Sequence, residues 1–111
     1  MMIYKIFQVD EWAELDDEGT TLGAPIDLQD GFIHFSTAET VGETLEKHFS
    51  GKSNLMLAAV EADQFGSELK WEQSRGGLDF PHLYAPLRRS QVAWIKIIPE
   101  TAKAPEIEAM L

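Results

Sequence analysis

The chain has 111 residues, of which 44% are hydrophobic, with a formal net charge of −10 and no cysteine. These values fit one globular domain and exclude a disordered chain, a disulfide framework and thiolate chemistry. The acidic excess argues against general binding to nucleic acids or anionic membranes, which needs a positive surface. No apolar run approaches the roughly 20 residues of a membrane span, and the first residues lack a signal-peptide layout, so a cytoplasmic protein is expected.

The first 35 residues predict a strand, a helix, a loop and a second strand. Residues 2–7 form a β-rich apolar run. Residues 8–15 place apolar side chains near one helical face, and Gly19 is a suitable end for that helix. Residues 20–28 contain glycine and proline and are expected to be a loop. Residues 32–35 then predict a short strand after an Asp-Gly turn.

A helix over residues 37–49 is the most strongly marked element. Ser36 and Glu39 have the spacing of a capping box, in which each side chain binds the other residue's backbone amide. Apolar residues follow every four positions, as one helical face requires. They are Val41, Leu45 and Phe49. Gly51 is positioned to end the helix.

The second half of the chain is dominated by strand patterns. Residues 54–61 are nearly continuously apolar and predict a central strand, and residues 69–72 predict an edge strand. Prolines bracket residues 80–86, which are therefore expected to be extended. Residues 92–98 are a strong β-run, and residues 99–111 are expected to be a loose C-terminal tail.

This order of elements favours an α+β fold over a parallel α/β array. We expect a single compact domain over residues 1–111, with a core at about 2–98 and about two helices. Its small mixed or antiparallel sheets are expected to form a cleft.

His34 and Ser36 are the first candidate site residues. Residues two apart on a strand point to the same face, so the imidazole and the hydroxyl are expected to share a site. Ser36 would also lie at a helix start, where anions are favoured. The alternative is that Ser36 only caps the helix and His34 is an ordinary buried histidine.

His82 and Tyr84 are a second pair with the same spacing, in a backbone constrained by prolines. Such a pair suits stacking on, or hydrogen bonding to, a planar ligand. The alternative is an aromatic cluster that closes the core.

Trp71 and Glu72 form a third candidate, because an aromatic neighbour can desolvate a carboxylate and raise its pKa. Glu72 would then be a base, or would stabilise a cation if it stays ionised; a glutamate that merely faces water is the alternative. Arg75 is followed by two glycines, and its guanidinium could bind a phosphate or carboxylate through two hydrogen bonds. The same residues also fit an ordinary loop. Basic residues outnumber acidic ones between positions 70 and 96, which suggests an anionic ligand.

Four segments together resemble the domain-of-unknown-function 952 family of small bacterial and plant proteins. They are IYKI (3–6), DGFIHFSTAE (30–39), LKWE (69–72) and FPHLYAPL (80–87). The fold of that family is regarded as similar to the ADP-ribosyltransferase and RNA 2′-phosphotransferase superfamily, which binds NAD in a cleft between two small sheets. The resemblance implies that His34 and Ser36 match the superfamily's His-x-Ser element, which contacts the NAD ribose and amide.

The resemblance implies a pocket for an NAD-like or ADP-ribose-like ligand. The enzyme implied is a transferase or glycohydrolase that acts at the nicotinamide–ribose bond. The catalytic candidates are His34, Glu72 and His82. The substrate-binding candidates are Ser36, Arg75, Tyr84 and Trp71. NAD enters as a substrate, and no resident cofactor, metal, nucleic acid or membrane is expected; a monomer is the default.

Two alternatives stay open at this point. The first is a non-catalytic module that binds a nucleotide-like small molecule in the same pocket. The second is a metal-dependent hydrolase built on His34 and His82, whose imidazoles are suitable ligands although their spacing does not require a metal.

Overall fold

The computed structural model describes residues 1–73 and 77–111. Its strands are β1 Met2–Gln8, β2 Thr20–Thr21, β3 Ile33–His34, β4 Leu55–Glu61, β5 Leu69–Gln73, β6 Asp79–Leu83, β7 Leu87–Arg88 and β8 Val92–Ile98. Its α-helices are α1 Val9–Glu18, α2 Pro25–Asp30, α3 Val41–His48 and α4 Ala104–Ala109, and short 3₁₀ segments cover Ala62–Glu68 and Arg89–Gln91. None of the helices in these two stretches is long and apolar enough to cross a membrane.

Every strand pair found between the described residues is antiparallel, in three small sheets. The first sheet has the order β1-β4-β8, the second β3-β6-β5, and β2 pairs with β7. A bridge joins the first two sheets, because Tyr4 and Ser36 exchange backbone hydrogen bonds of 2.8 and 2.7 Å. The expected α+β single domain with small antiparallel sheets is therefore confirmed.

The central sheet is buried on both faces, as the alternation along β1 shows. Ile3 and Phe7 belong to one apolar cluster with Leu15 of α1 and Leu83 of β6. Tyr4 and Ile6 point the other way, into a second cluster with residues of α3 and α4. Because successive strand residues face opposite sides, one strand serves both clusters.

The helix predicted over residues 37–49 is shorter, and its predicted capping box is wrong. The helix α3 begins at Val41, after a turn in which the Thr37 amide donates to the Thr40 hydroxyl at 2.9 Å. The Ser36 hydroxyl instead bonds the Thr44 hydroxyl at 2.8 Å. The reason is that the Ser36 backbone is held extended in its bridge to β1, so the chain must turn before it can wind.

The expected loop over residues 20–28 contains the strand β2 and most of the helix α2. Pro25 opens this helix, where its fixed φ and missing amide are favourable. The Asp27 carboxylate accepts the Ala24 amide at 2.7 Å, and Gly31 ends the helix with a φ of 85°. The expectation of about two helices was therefore too low.

The tail predicted to be loose contains α4, which packs against α3. Ile107 is fully buried in the second cluster, and the Ala104 amide donates to the Glu46 carboxylate at 3.0 Å. Gly42 makes this approach possible, because a Cβ there would lie 2.8 Å from the Ala104 Cβ and 3.1 Å from its Cα. The C-terminal segment is thus part of the packed domain.

A buried ionic network attaches α2 to both sheets. Asp27, only 1% exposed, accepts hydrogen bonds from the Lys5 ammonium at 2.8 Å and from the backbone amide and Nδ1 of His34 at 3.1 and 2.6 Å. Burial alone would raise the pKa of Asp27, but the hydrogen bond from His34 and the charge of Lys5 outweigh it and lower the pKa from 3.8 to about 2. The carboxylate is therefore ionised throughout the neutral range.

Gly42→Ala is expected to destabilise the protein by about 1 kcal/mol. The clash with Ala104 costs roughly 1–3 kcal/mol, and the better helix propensity of alanine returns up to about 1 kcal/mol. Urea unfolding measures the change. The double variant Gly42→Ala/Ala104→Gly should recover part of the loss, and a single variant as stable as the wild type would contradict the close packing of α4 on α3.

Acid should remove a stabilising contribution that belongs to Asp27. Because its folded pKa is lowered, the contribution is present above pH 4 and is lost as the pH falls toward 2; a shift of this size corresponds to roughly 2 kcal/mol. The free energy of unfolding of the wild type should decline through this window.

Asp27→Asn should flatten that part of the decline and should destabilise the protein at neutral pH by roughly 3–5 kcal/mol, since it leaves the Lys5 cation buried without its counter-ion. Adding Lys5→Met to Asp27→Asn is the matched control and should restore part of the stability. An Asp27→Asn variant with wild-type stability and wild-type acid dependence would rule out this account.

Candidate functional site

Strand pairing brings the two candidate histidines together. His34 of β3 lies directly opposite His82 of β6, so both side chains project from the same face of the sheet. Their ring centroids are 5.3 Å apart, with the rings edge to face. The two segments that carried the His-x-Ser and His-x-Tyr patterns therefore build one site.

Glu72 joins this face from the neighbouring strand β5. Its Oε1 accepts hydrogen bonds from Nδ1 of His82 at 2.8 Å and from the Tyr84 hydroxyl at 2.7 Å. The side chain of His82 is 7% exposed, whereas that of Glu72 is 40% exposed. The three residues form a chain of hydrogen bonds that leads from the protein surface to a buried imidazole.

The electrostatic expectation for Glu72 was wrong in direction. The Tyr84 hydroxyl and then His82 lower the pKa of Glu72, because both donate to its charged form. The same hydrogen bond raises the pKa of Tyr84. Trp71 does not desolvate Glu72, since it projects from the other face of β5 and is 42% exposed. Glu72 is therefore a carboxylate at neutral pH.

Phe32 belongs to the site, although sequence reasoning gave it no role there. Its ring stacks on His82 with a centroid distance of 4.2 Å and an interplanar angle of 25°. It also contacts the rings of His34 at 4.6 Å and Tyr84 at 5.1 Å. The available signal was its offset of two positions from His34, the same spacing that was used to connect His34 with Ser36.

Both ring nitrogens of His34 contact carboxylates of α2. Nδ1 lies 2.6 Å from Asp27, and Nε2 lies 3.0 Å from Asp30. A neutral imidazole carries one N–H, so only the protonated ring can donate to both carboxylates. Sequence reasoning missed Asp27 and Asp30 because they were expected in a loop and a turn rather than in one helix. It missed Lys5 because its contact with Asp27 joins distant parts of the chain.

Of the remaining candidates, Ser36 is 5% exposed and its hydroxyl is engaged with Thr44. Tyr84 is 41% exposed and reaches the site through Glu72. Trp71 is on the opposite face and is not brought to the histidines. Arg75 lies outside the described residues.

A cleft of about 510 Å³ opens beside the histidines. Its walls come from β1, the N-terminal part of α2, the C-terminal half of α3, and the strands that carry His34 and His82. Aromatic rings and cationic or imidazole groups provide much of the lining, including Tyr4, Phe35, Phe49, Phe80, His34, His48, Lys52 and His82. Ser36 also lines this cleft, whereas Glu72 and Tyr84 are not among its lining residues.

None of the described basic residues between positions 70 and 96 lines the cleft. Arg89 pairs with Asp16 of α1 at 2.9 Å, and Lys96 donates to the Met110 carbonyl at 2.6 Å. Positive charge at the cleft comes instead from Lys52, near the C-terminal end of α3, and from Lys5, which Asp27 neutralises. The described bases of this segment therefore do not form one anion site at the cleft.

The described part of the chain contains no group of three or more histidine, aspartate or glutamate side chains arranged to hold a metal ion. Both nitrogens of His34 and Nδ1 of His82 face carboxylates instead. A metal ligand must present a free lone pair, so the hydrolase built on His34 and His82 lacks its ligand set in this arrangement.

Comparison with known proteins identifies relatives without an assigned activity. The crystal structure of protein CC0527 from Caulobacter crescentus has 43% sequence identity and a TM-score of 0.91, covering 98% of this chain and 99% of that one. The solution NMR structure of CC0527 has 44% identity and a TM-score of 0.85, covering 99% and 96%. No curated protein matches.

These matches leave the expected likeness to ADP-ribosyltransferases unconfirmed, so it stays an implication of the sequence resemblance. The family model described as "Protein of unknown function (DUF952)" matches residues 6–95, most of the chain. With the identity and coverage of the Caulobacter protein, this match establishes that the chain belongs to the DUF952 family.

Proposed function

We propose that the protein binds a nucleotide-like small molecule, of the NAD or ADP-ribose type, in the cleft beside His34 and His82. The observation that carries the proposal is the state of His82. Its side chain is 7% exposed and lines the cleft, yet Nε2 has no hydrogen-bond partner among residues 1–73 and 77–111. Buried polar atoms are nearly always hydrogen-bonded, so we expect a bound group to form a hydrogen bond with this nitrogen.

The shape and lining of the cleft support a ligand of this class. A volume of about 510 Å³ lies within the roughly 300–1,000 Å³ typical of small-molecule sites. Aromatic walls suit a planar base or a pyridine ring, and Lys52 at the C-terminal side of α3 suits a phosphate. Ser36 and His34 add polar groups on the same wall, as the family resemblance implies.

The reaction proposed is transfer or hydrolysis at the nicotinamide–ribose bond. Breaking that bond develops positive charge on the sugar, which a nearby carboxylate stabilises. Glu72 has the required charge, because its hydrogen bonds from Tyr84 and His82 favour the ionised form, and it would act on the ligand through its hydrogen bond to His82. His34 and Ser36 would form the wall beside the ribose, with their polar side-chain atoms already bound by Asp27, Asp30 and Thr44.

A non-catalytic binding module is the second candidate function. One observation favours it: Glu72 is not among the residues that line the cleft, and its Oε1 already accepts two hydrogen bonds. Its contact with the lining of the cleft is the hydrogen bond to His82. Binding and turnover therefore have to be measured separately.

Titration of ¹⁵N-labelled protein with NAD, ADP-ribose and nicotinamide should shift the side-chain resonances of His34 and His82. His82→Asn keeps a donor near the Nδ1 position but removes Nε2, and it should weaken binding about tenfold, the effect of one lost hydrogen bond. Trp71→Ala, on the opposite face, is the matched control and should bind normally. Unchanged histidine resonances at millimolar concentrations of all three compounds would refute the proposal.

Glu72→Gln separates the two candidate functions. In an enzyme it should reduce nicotinamide release from NAD by at least about a hundredfold, because the charge that favours the transition state is gone, while NAD affinity changes only a few-fold. Chromatography of the products and calorimetric binding measure the two quantities. Tight NAD binding by a wild-type protein that releases no nicotinamide would identify the binding module.

A further inference from the structure

The ring of His82 is held in one orientation between a carboxylate and the cleft. Phe32 stacks on one face at 4.2 Å, His34 contacts the ring edge to face at 5.3 Å, and Glu72 binds Nδ1 at 2.8 Å. The two ring nitrogens point outward from the ring in different directions, so Nε2 does not face the group that binds Nδ1. His82 lines the cleft and Glu72 occupies Nδ1, so Nε2 is the ring nitrogen left to bind a group in the cleft.

We infer that His82 is an acid–base catalyst whose Nε2 takes a proton from a water molecule or a ligand hydroxyl held in the cleft, with Glu72 and Tyr84 as its positioning residues. This inference rests on the proposed function, because it requires a ligand in that cleft. It requires a water molecule or a ligand hydroxyl to lie at Nε2 of His82. In this role Glu72 orients His82 and does not contact the sugar directly.

The hydrogen bonds fix the protonation pattern that a base needs. A carboxylate only accepts, so Nδ1 of His82 must carry the hydrogen of the 2.8 Å contact. In the neutral ring, Nε2 is then the nitrogen with the free lone pair. The Tyr84 hydroxyl donates to the same Oε1 and keeps Glu72 ionised, which in turn stabilises the imidazolium after proton uptake.

The charges around His82 come from several elements. Glu72 and Lys70 belong to β5, with Lys70 directly opposite His82 in the ladder, and Tyr84 follows β6. His34 lies opposite on β3 and connects to Asp27 and Asp30 of α2. Among the described residues, Glu72 is the carboxylate within hydrogen-bonding distance of His82.

The proposed step balances as a displacement at carbon. The oxygen of the water or hydroxyl forms a bond to the electrophilic carbon while its proton moves to Nε2 of His82. The bond to the leaving group breaks, and its electron pair goes with that group. For NAD, the bond broken joins the ribose C1′ to the pyridinium nitrogen, which receives the pair and becomes neutral; the proton on Nε2 is then released to solvent.

The first test reads the tautomer of His82 directly, without a ligand. In ¹⁵N-labelled wild-type protein at neutral to mildly alkaline pH, the neutral ring should carry hydrogen on Nδ1 and none on Nε2. Glu72→Ala should reduce the Nδ1–H population, and Trp71→Ala should not. A wild-type ring with hydrogen on Nε2, or an unchanged tautomer in Glu72→Ala, would overturn the inference. The proposed function is tested separately, by the binding of NAD.

The second test uses NAD hydrolysis. His82→Gln keeps an amide nitrogen near the Nε2 position but cannot take up a proton, so it should bind NAD within a few-fold and lose roughly a hundredfold or more in kcat. It should also lose the acidic limb of the kcat profile. Tyr84→Phe should shift that limb with little change in NAD affinity.

Three results would count against the assignment of His82. They are a His82→Gln variant with the wild-type rate and pH profile, a Tyr84→Phe profile identical to that of the wild type, and a wild-type protein that binds NAD without releasing nicotinamide. Failure of NAD to bind at all would instead refute the proposed function.

Discussion

The arrangement of the site depends on one buried carboxylate. Asp27 accepts hydrogen bonds from Lys5 of β1, from the backbone and side chain of His34 on β3, and from Ala24 at the start of its own helix. A buried charge is costly unless it is paired and fully hydrogen-bonded, and here each oxygen accepts two bonds. This requirement fixes α2 against both sheets, so one residue determines where the cleft wall stands and how the His34 ring is turned.

The two histidines lie on one face of the sheet but differ in the hydrogen-bond partners of their ring nitrogens. His34 lies between Asp27 and Asp30, and both of its nitrogens are engaged, so it acts as part of the wall. His82 has one carboxylate on one nitrogen, and no described residue forms a hydrogen bond with the other. The difference comes from α2, which supplies two carboxylates to β3, whereas β5 brings only Glu72 within hydrogen-bonding distance of His82.

Local patterns in the sequence predicted the faces of strands better than the positions of helices. The two-residue spacing predicted which side chains share a face within one strand, because side-chain alternation is a property of any extended chain. It did not predict that His34 and His82 lie opposite each other, which the pairing of β3 with β6 brings about. The helix α2 was missed although Pro25 and Gly31 mark its start and end locally; the ion pair of Asp27 with the distant Lys5, which attaches it to β1, is not visible in a local window. The capping box at Ser36 failed for the same reason, since its backbone is held by Tyr4.

An acidic protein can present a cleft to an anionic ligand only if the carboxylates around that cleft are already occupied. Asp27 is neutralised by Lys5 and bound by His34, and Glu11, which also lines the cleft, caps α1 through the Gln8 amide at 2.9 Å. Glu72, which does not line the cleft, is bound by His82 and Tyr84. The surface offered to a ligand therefore consists mainly of imidazole, hydroxyl and aromatic groups, although the chain as a whole carries a net charge of −10.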